Sequence, residues 1–303
     1  MTLFNRPDVT QQLFVELARV KPTRLYVACD GPTNDSDSRE LVRRVREVVS
    51  AAIDWDCELH TLYQESNLGC QDGMVTALDW FFSQVGEGII LEDDCLPSAS
   101  FFDLATTFLD TYRNDEAVWG VTGDNSAGVR ISGSETVGFS HYALIWGWAT
   151  WADRWARYDR DLTVYNSMRE PAFSWSNIFE KAVFSKSLES ILHTGLPDTW
   201  DVQWAWTVML HRGLWAIPRD NLITNIGFGE AASHTHTPTN RSRAARREIP
   251  GPISLPDTPK PSRIVDAHVL GRVHKAHRLV LDKMVTSLRK PVPQAARSSD
   301  RPK

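Results

Sequence analysis

Apolar residues fall in two rhythms along the first half of the chain: short unbroken runs, and longer stretches spaced by three and four. The runs are Thr2–Asn5, Arg24–Cys29, Cys57–Gln64, Gly88–Glu92 and Val118–Thr122. They are β-rich and short, and predict strands. Between them, Leu13, Phe14, Leu17 and Val20 follow Pro7-Asp8, and Leu41, Val42, Val45, Val48 and Val49 follow Asp37-Ser38. Met74, Val75, Leu78 and Phe81-Phe82 follow Asn67-Leu68-Gly69. That spacing predicts helices with one apolar face. Strand-then-helix alternation requires crossover connections, so the expected fold class is α/β, a mainly parallel sheet flanked by helices. An uninterrupted run such as Gly88-Ile89-Ile90-Leu91 fits a strand buried on both faces.

The second half is less regular. Ser126–Gly138 is rich in small residues and reads as a mobile loop. Thr199 to Arg212 predicts a helix with Asp198 as its N-cap, and Leu214–Pro218 and Asn221–Ile226 predict late strands. Nine of the twelve tryptophans lie between Trp146 and Trp215. Most belong to a core, since aromatics dominate burial energy, and Trp148 is the candidate for stacking on a ligand. From 237 to 262 the chain is polar and dotted with proline, and reads as a linker. Arg263–Arg289 predicts a basic amphipathic helix.

Composition narrows the class. No run of eighteen apolar residues occurs, which argues against a membrane span. The N-terminus shows no secretory leader pattern, and Cys29, Cys57, Cys70 and Cys95 lack zinc-site spacing. These features lead to the expectation of a cytoplasmic protein with reduced thiols. Net charge is −5, but residues 238–303 carry 15 Lys and Arg against 5 Asp and Glu, whereas residues 1–237 carry 18 against 33. A body this acidic excludes nucleic-acid binding through its general field. The basic helix suits either an anionic membrane surface or the acidic body itself.

The chemistry concentrates at Glu92-Asp93-Asp94, directly after the fourth strand. Adjacent carboxylates at a buried strand end repel one another and lose hydration, which a hard divalent cation, Mn²⁺ or Mg²⁺, would relieve. Open α/β sheets bind ligands beyond the carboxyl ends of their strands, where this triplet falls. A solvated acidic turn opening the next helix would look the same. Arg6, before a helix start that disfavours cations, suits either an anionic ligand or a surface ion pair. Asp30, in Asp30-Gly31-Pro32, is also good turn chemistry, and Asn67-Leu68-Gly69 suits either a phosphate approach or any loop. Asp201, between Trp200 and Trp204, loses hydration, which favours a general base; a helix-start acid is the plain alternative.

In order and spacing these segments resemble the GT-A glycosyltransferases, above all the N-acetylglucosaminyltransferase that starts complex N-glycans and its bacterial relatives. The likeness rests on Phe4-Asn5-Arg6-Pro7, Ala28-Cys29-Asp30-Gly31-Pro32, Glu92-Asp93-Asp94, Ile145-Trp146-Gly147-Trp148 and Thr199-Trp200-Asp201-Val202-Gln203-Trp204. It spans residues 3–236, which implies a glycosyltransferase domain over 1–236, the linker 237–262 and a basic tail 263–303. The resemblance implies transfer of a sugar from a nucleotide diphosphate donor, UDP for preference, to a carbohydrate or lipid-linked acceptor, as in cell-envelope polysaccharide synthesis. By the same likeness Asp94 is the metal ligand, with Asp93 and Glu92 supporting it, and Arg6 meets the pyrophosphate or the base. Asp30 reads the uracil, Asn67 approaches the phosphate or ribose, Asp201 is the base of an inverting displacement, and His234 reaches the metal or diphosphate. The family has two adjacent acids where this chain has Asp201 alone. A sugar-phosphate nucleotidyltransferase on the same fold, or a binding module without turnover, are the competing readings.

Overall fold

The structure is a computed structural model, and it describes residues 1–167, 178–228, 241 and 244–275. In chain order the elements are β1 (Thr2–Leu3), α1 (Pro7–Val20), β2 (Arg24–Cys29), α2 (Ser36–Ala52), β3 (Glu58–Tyr63) and α3 (Cys70–Gln84). Next come β4 (Glu87–Ile90), β5 (Cys95–Pro97), α4 (Ala99–Tyr112), β6 (Val118–Thr122), β7 (Val137–Ser140) and β8 (Trp148–Trp151). The remainder is α5 (Ala152–Trp155), α6 (Thr163–Ser167), α7 (Ile178–Thr194), α8 (Asp201–Leu210), β9 (Leu214–Pro218), β10 (Ile223–Asn225) and α9 (Arg263–His268). A single π-helical turn, Val269–Val273, follows α9.

Local chemistry accounts for the first helices. Pro7 stands at the start of α1, where its missing N–H costs nothing, and Leu13, Phe14 and Leu17 form the buried face. Asp35 caps α2 by accepting from Asp37 N, and Val42, Val45 and Val49 recur on one side of it. Parallel pairing joins β1, β2 and β3. Thr2 then bridges in parallel to Glu92, and its N–H donates to the Leu91 carbonyl at 3.0 Å, which places β1 beside β4. The row therefore runs β3-β2-β1-β4-β8-β6-β9-β7.

The fold is mixed α/β with a parallel sheet, as the alternation predicted, but its second half is mixed, with β6 and β9 parallel and the other pairs antiparallel. β8 runs antiparallel to both β4 and β6, and β7 is antiparallel to β9. Every residue of β8 is buried. A strand buried on both faces shows no alternation, so its direction is not readable from the sequence. β5 and β10 pair as a separate antiparallel ribbon. Around β8 and α8, Trp119, Trp148, Trp155, Trp200, Trp204 and Trp215 form one cluster. At roughly 150–250 Å² each and about 25 cal/mol per Å², burying an indole contributes at most about 4–6 kcal/mol.

The stretch expected to be a linker is, over its described residues, a packed strap. Ile249, Ile253 and Leu255 lie against the main core, and Tyr112 donates to the Pro256 carbonyl at 2.6 Å. Glu248 accepts from Ala99 N at 3.2 Å, Ser100 N at 2.8 Å and Ser100 Oγ at 2.5 Å, which caps α4 from a distance in sequence. Beyond it, Val265 and Val269 are buried against the body, so the described part of the basic helix packs inward. Proline spacing made the strap look free. Its apolar residues are too sparse for a periodic signal.

Glu248→Ala should lower unfolding free energy by about 1 kcal/mol at neutral pH, as read by urea denaturation. Burial pushes this carboxyl up, but hydrogen bonds from Ser100 and Ala99 and the charge of Arg246 outweigh it, so its pKa is held down. A depressed carboxylate contributes stability that is present above its unfolded pKa and lost as pH falls through the folded one. The gap between wild type and variant should therefore close on acidification below the ordinary carboxyl range.

Candidate functional site

The carboxyl ends of β1, β2, β3 and β4 open into a cleft of about 830 Å³. Its lining includes Arg6, Asp30, Asn67, Glu92, Asp93, Asp94 and Asp201, seven of the eight residues to which the resemblance gave a role. The eighth, His234, lies outside the described residues, as does His236. Among the described lining residues five are acidic and one, Arg6, is basic. This imbalance governs what the cleft can hold.

Arg6 leaves β1 just before α1 and turns onto the triplet. Its Nε donates to Asp93 Oδ2 at 3.1 Å, and its Nη2 donates to Asp93 Oδ1 and to Asp94 Oδ2, the latter at 3.0 Å. The guanidinium is thus spent on the acids themselves rather than left free. Burial would lower its pKa, but the charges of Asp93 and Asp94 reverse that and raise it. Asp93 is 3% exposed, and burial, opposed by Arg6, pushes its carboxyl up to about 6. Glu92 is raised well above the ordinary carboxyl range by burial, then by Asp94, Asp93 and Asp201. No hydrogen-bond donor meets the Glu92 side chain among the described residues.

Asp94 also receives Asn225 Nδ2 at 3.2 Å, and its carbonyl accepts from Ile226 N at 2.8 Å. The chain after β10 passes so close that a Cβ on Gly227 would overlap the Asp94 carboxylate, and a larger residue there would have to displace it.

Asp30 and Asn67 were read separately and prove to be one unit. Asn67 Nδ2 donates to Asp30 Oδ2 at 2.8 Å, while Gly31 N at 2.7 Å and Leu68 N at 3.0 Å donate to Oδ1. Burial raises the Asp30 pKa against these backbone hydrogen bonds. Most of its acceptor capacity is engaged in tying the end of β2 to the loop after β3.

Across the cleft, Asp201 begins α8 and accepts from Thr199 Oγ1. Asp198, expected to cap that helix, instead accepts from Cys70 N at 2.8 Å and Gln71 N at 3.0 Å, and so caps α3. Its carboxylate sits 2.9 Å from where a Cβ on Gly69 would be, and Gly69 has φ 87°. The Cys70 thiol is pushed up to about 12 by burial and by Glu92, Asp198 and Asp201, so it stays protonated and unreactive at neutral pH.

Trp148 does not line the cleft. It is fully buried and stacks on Trp200 at 5.7 Å. Trp146 lines the cleft instead, beside Phe228. Sequence reasoning also passed over Asn225, Thr199 and Gly227. The glycine alone carried a signal, in Gly227-Phe228-Gly229.

Fold and site together define a mixed α/β protein with an acidic cleft at the ends of its parallel strands. Compared with known protein families and with curated proteins, the chain matches neither a family model nor any curated sequence. No helix among the described residues is long and apolar enough to cross a membrane.

Proposed function

We propose that this chain is a metal-dependent glycosyltransferase with a GT-A fold, moving a sugar from a nucleotide diphosphate, preferably UDP, to an acceptor hydroxyl with inversion. One observation carries the reading: a cleft at the strand ends whose described lining sets five carboxylates against a single, already paired arginine. Such a cleft repels a diphosphate unless a further cation enters with it. The sheet order β3-β2-β1-β4, followed by an antiparallel strand, supports the same fold.

The donor set fits Mn²⁺ or Mg²⁺. Among the described residues no three His, Cys, Asp or Glu converge as a ready cage. Such ions at phosphate sites need only one or two carboxylates, the rest being water and substrate phosphate. Asp94 is the proposed ligand, with His234 as a further candidate. When bound, the ion neutralises the diphosphate and the charge that develops on it as it leaves. The Asp30–Asn67 unit shapes the base and ribose end, Arg6 keeps Asp93 and Asp94 together, and Asp201 takes the proton of the acceptor hydroxyl.

Calorimetry tests this directly. UDP should bind in the presence of Mn²⁺ and lose at least tenfold in affinity with a chelator present, and a UDP-sugar should then be turned over. Absence of UDP binding in both conditions would overturn the reading. Release of pyrophosphate from a nucleoside triphosphate would replace it with nucleotidyltransfer.

A further inference from the structure

The indole of Trp146 is fixed more firmly than a merely exposed tryptophan requires. Thr122 Oγ1 donates to the Trp146 carbonyl at 3.3 Å and to the Gly147 carbonyl at 3.2 Å. Gly123 N donates to the Gly147 carbonyl at 2.7 Å. Gly147 has φ 57°, and a Cβ there would meet Ile223 at 2.5 Å, so the backbone beneath the ring admits glycine alone. The Arg241 guanidinium lies over the indole, 4.3 Å from its centroid, and Phe228 packs edge-on at 5.8 Å.

Arg241 is itself anchored. Its Nη2 donates to Asp124 Oδ2 at 2.6 Å and its Nε to Ser126 Oγ at 3.1 Å. Ser126 Oγ in turn donates to Asp124 Oδ1 at 2.5 Å. Asp124 is 1% exposed, and a carboxylate buried that deeply holds its partners in one geometry. Trp146 lines the cleft and Arg241 does not, so the cation backs the ring from outside the cleft.

We infer that Asp124 and Arg241 are positioning residues that hold Trp146 as a stacking platform for a pyranose ring. The C–H face of a pyranose is flat and apolar while its rim is polar, which matches an aromatic surface at the wall of a wet, acidic cleft. The platform lies just before β8, on the opposite flank of the acidic triplet from Asp30 and Asn67. The sugar rather than the base of a nucleotide-sugar falls there. The choice of a sugar rests on the glycosyltransferase reading; the anchoring of the ring does not.

The test uses the full chain and Arg241→Lys, which keeps the charge facing Asp124 but lacks the planar fork that lies on the indole. UDP with Mn²⁺ and a UDP-hexose are titrated calorimetrically, and methyl glycosides of glucose, galactose and N-acetylglucosamine are followed by saturation-transfer NMR. The expected result is UDP affinity and Tm unchanged, with sugar affinity reduced about tenfold, and a comparable loss in Trp146→Leu. Loss confined to the UDP-hexose assigns the donor ring to the platform, and loss with the methyl glycosides assigns the acceptor ring. Equal losses of UDP and sugar affinity, or a Tm lowered by several degrees, would show a structural role and overturn the inference. Sugar affinity indifferent to both variants would also overturn it while leaving the glycosyltransferase reading standing. No UDP binding by wild type, with sugar binding still sensitive to Arg241, would keep the platform and remove that reading.

Discussion

Asp201→Asn is expected to lower sugar transfer about a thousandfold while UDP binding with Mn²⁺ stays intact. Asp201 stands at the first turn of α8, and one carboxylate oxygen accepts from Thr199. Asparagine has the same shape, and its Oδ1 can still accept that hydrogen bond, so the wall of the cleft should not move. What it cannot do is take a proton. The substitution also removes one of the negative charges that hold the Glu92 carboxyl up. Any change in affinity for a diphosphate should therefore be a gain, which excludes weakened donor binding as the cause of lost transfer. Single-turnover transfer from a UDP-sugar, beside calorimetry with UDP, separates the two effects. Normal transfer by Asp201→Asn would remove this residue as the base.

The sequence was most legible where a physical rule is local. Each predicted strand of the first half lies within two residues of an observed one at either end, because unbroken apolar runs between turn signals leave little choice. The triplet stood out because three carboxylates after a buried run need an explanation. What stayed hidden depends on contacts between distant segments. Asp198 is a capping residue, as read, but the helix it caps begins 128 residues earlier. Asp30 and Asn67 form one unit across 37 positions, and no spacing rule connects them. Trp146 and Trp148 are two residues apart, yet one meets the cleft and the other is fully buried. Trp146 precedes β8, so the alternation of a strand cannot place it. Arg6 showed the limit of reading charge alone. Its position before a helix pointed to an anion, and the anions it meets are the chain's own Asp93 and Asp94.

That pairing makes the two aspartates separable by experiment. Asp94→Ala should abolish Mn²⁺-dependent UDP binding, a loss of roughly a hundredfold or more, while Tm stays close to that of the wild type. Asp93→Ala should act first on stability. Arg6 holds Asp93 through two hydrogen bonds and Asp94 through one, and the Asp93 side chain is the more buried, 5% exposed against 16%. Without Asp94 the guanidinium keeps its better partner, and the fold loses little beyond the Asn225 and Cys95 contacts. Without Asp93 a largely buried arginine is left with one hydrogen bond, and breaking a buried pair in this way costs about 3–5 kcal/mol. Thermal unfolding of both variants, followed by titration of Mn²⁺ and UDP, therefore tests the division of labour within the triplet. An Asp94→Ala protein that still binds UDP only with Mn²⁺ would move the ion to Glu92 or Asp93. Low stability in both variants would mean that Arg6 and the two acids act as one structural unit, with no residue reserved for the metal.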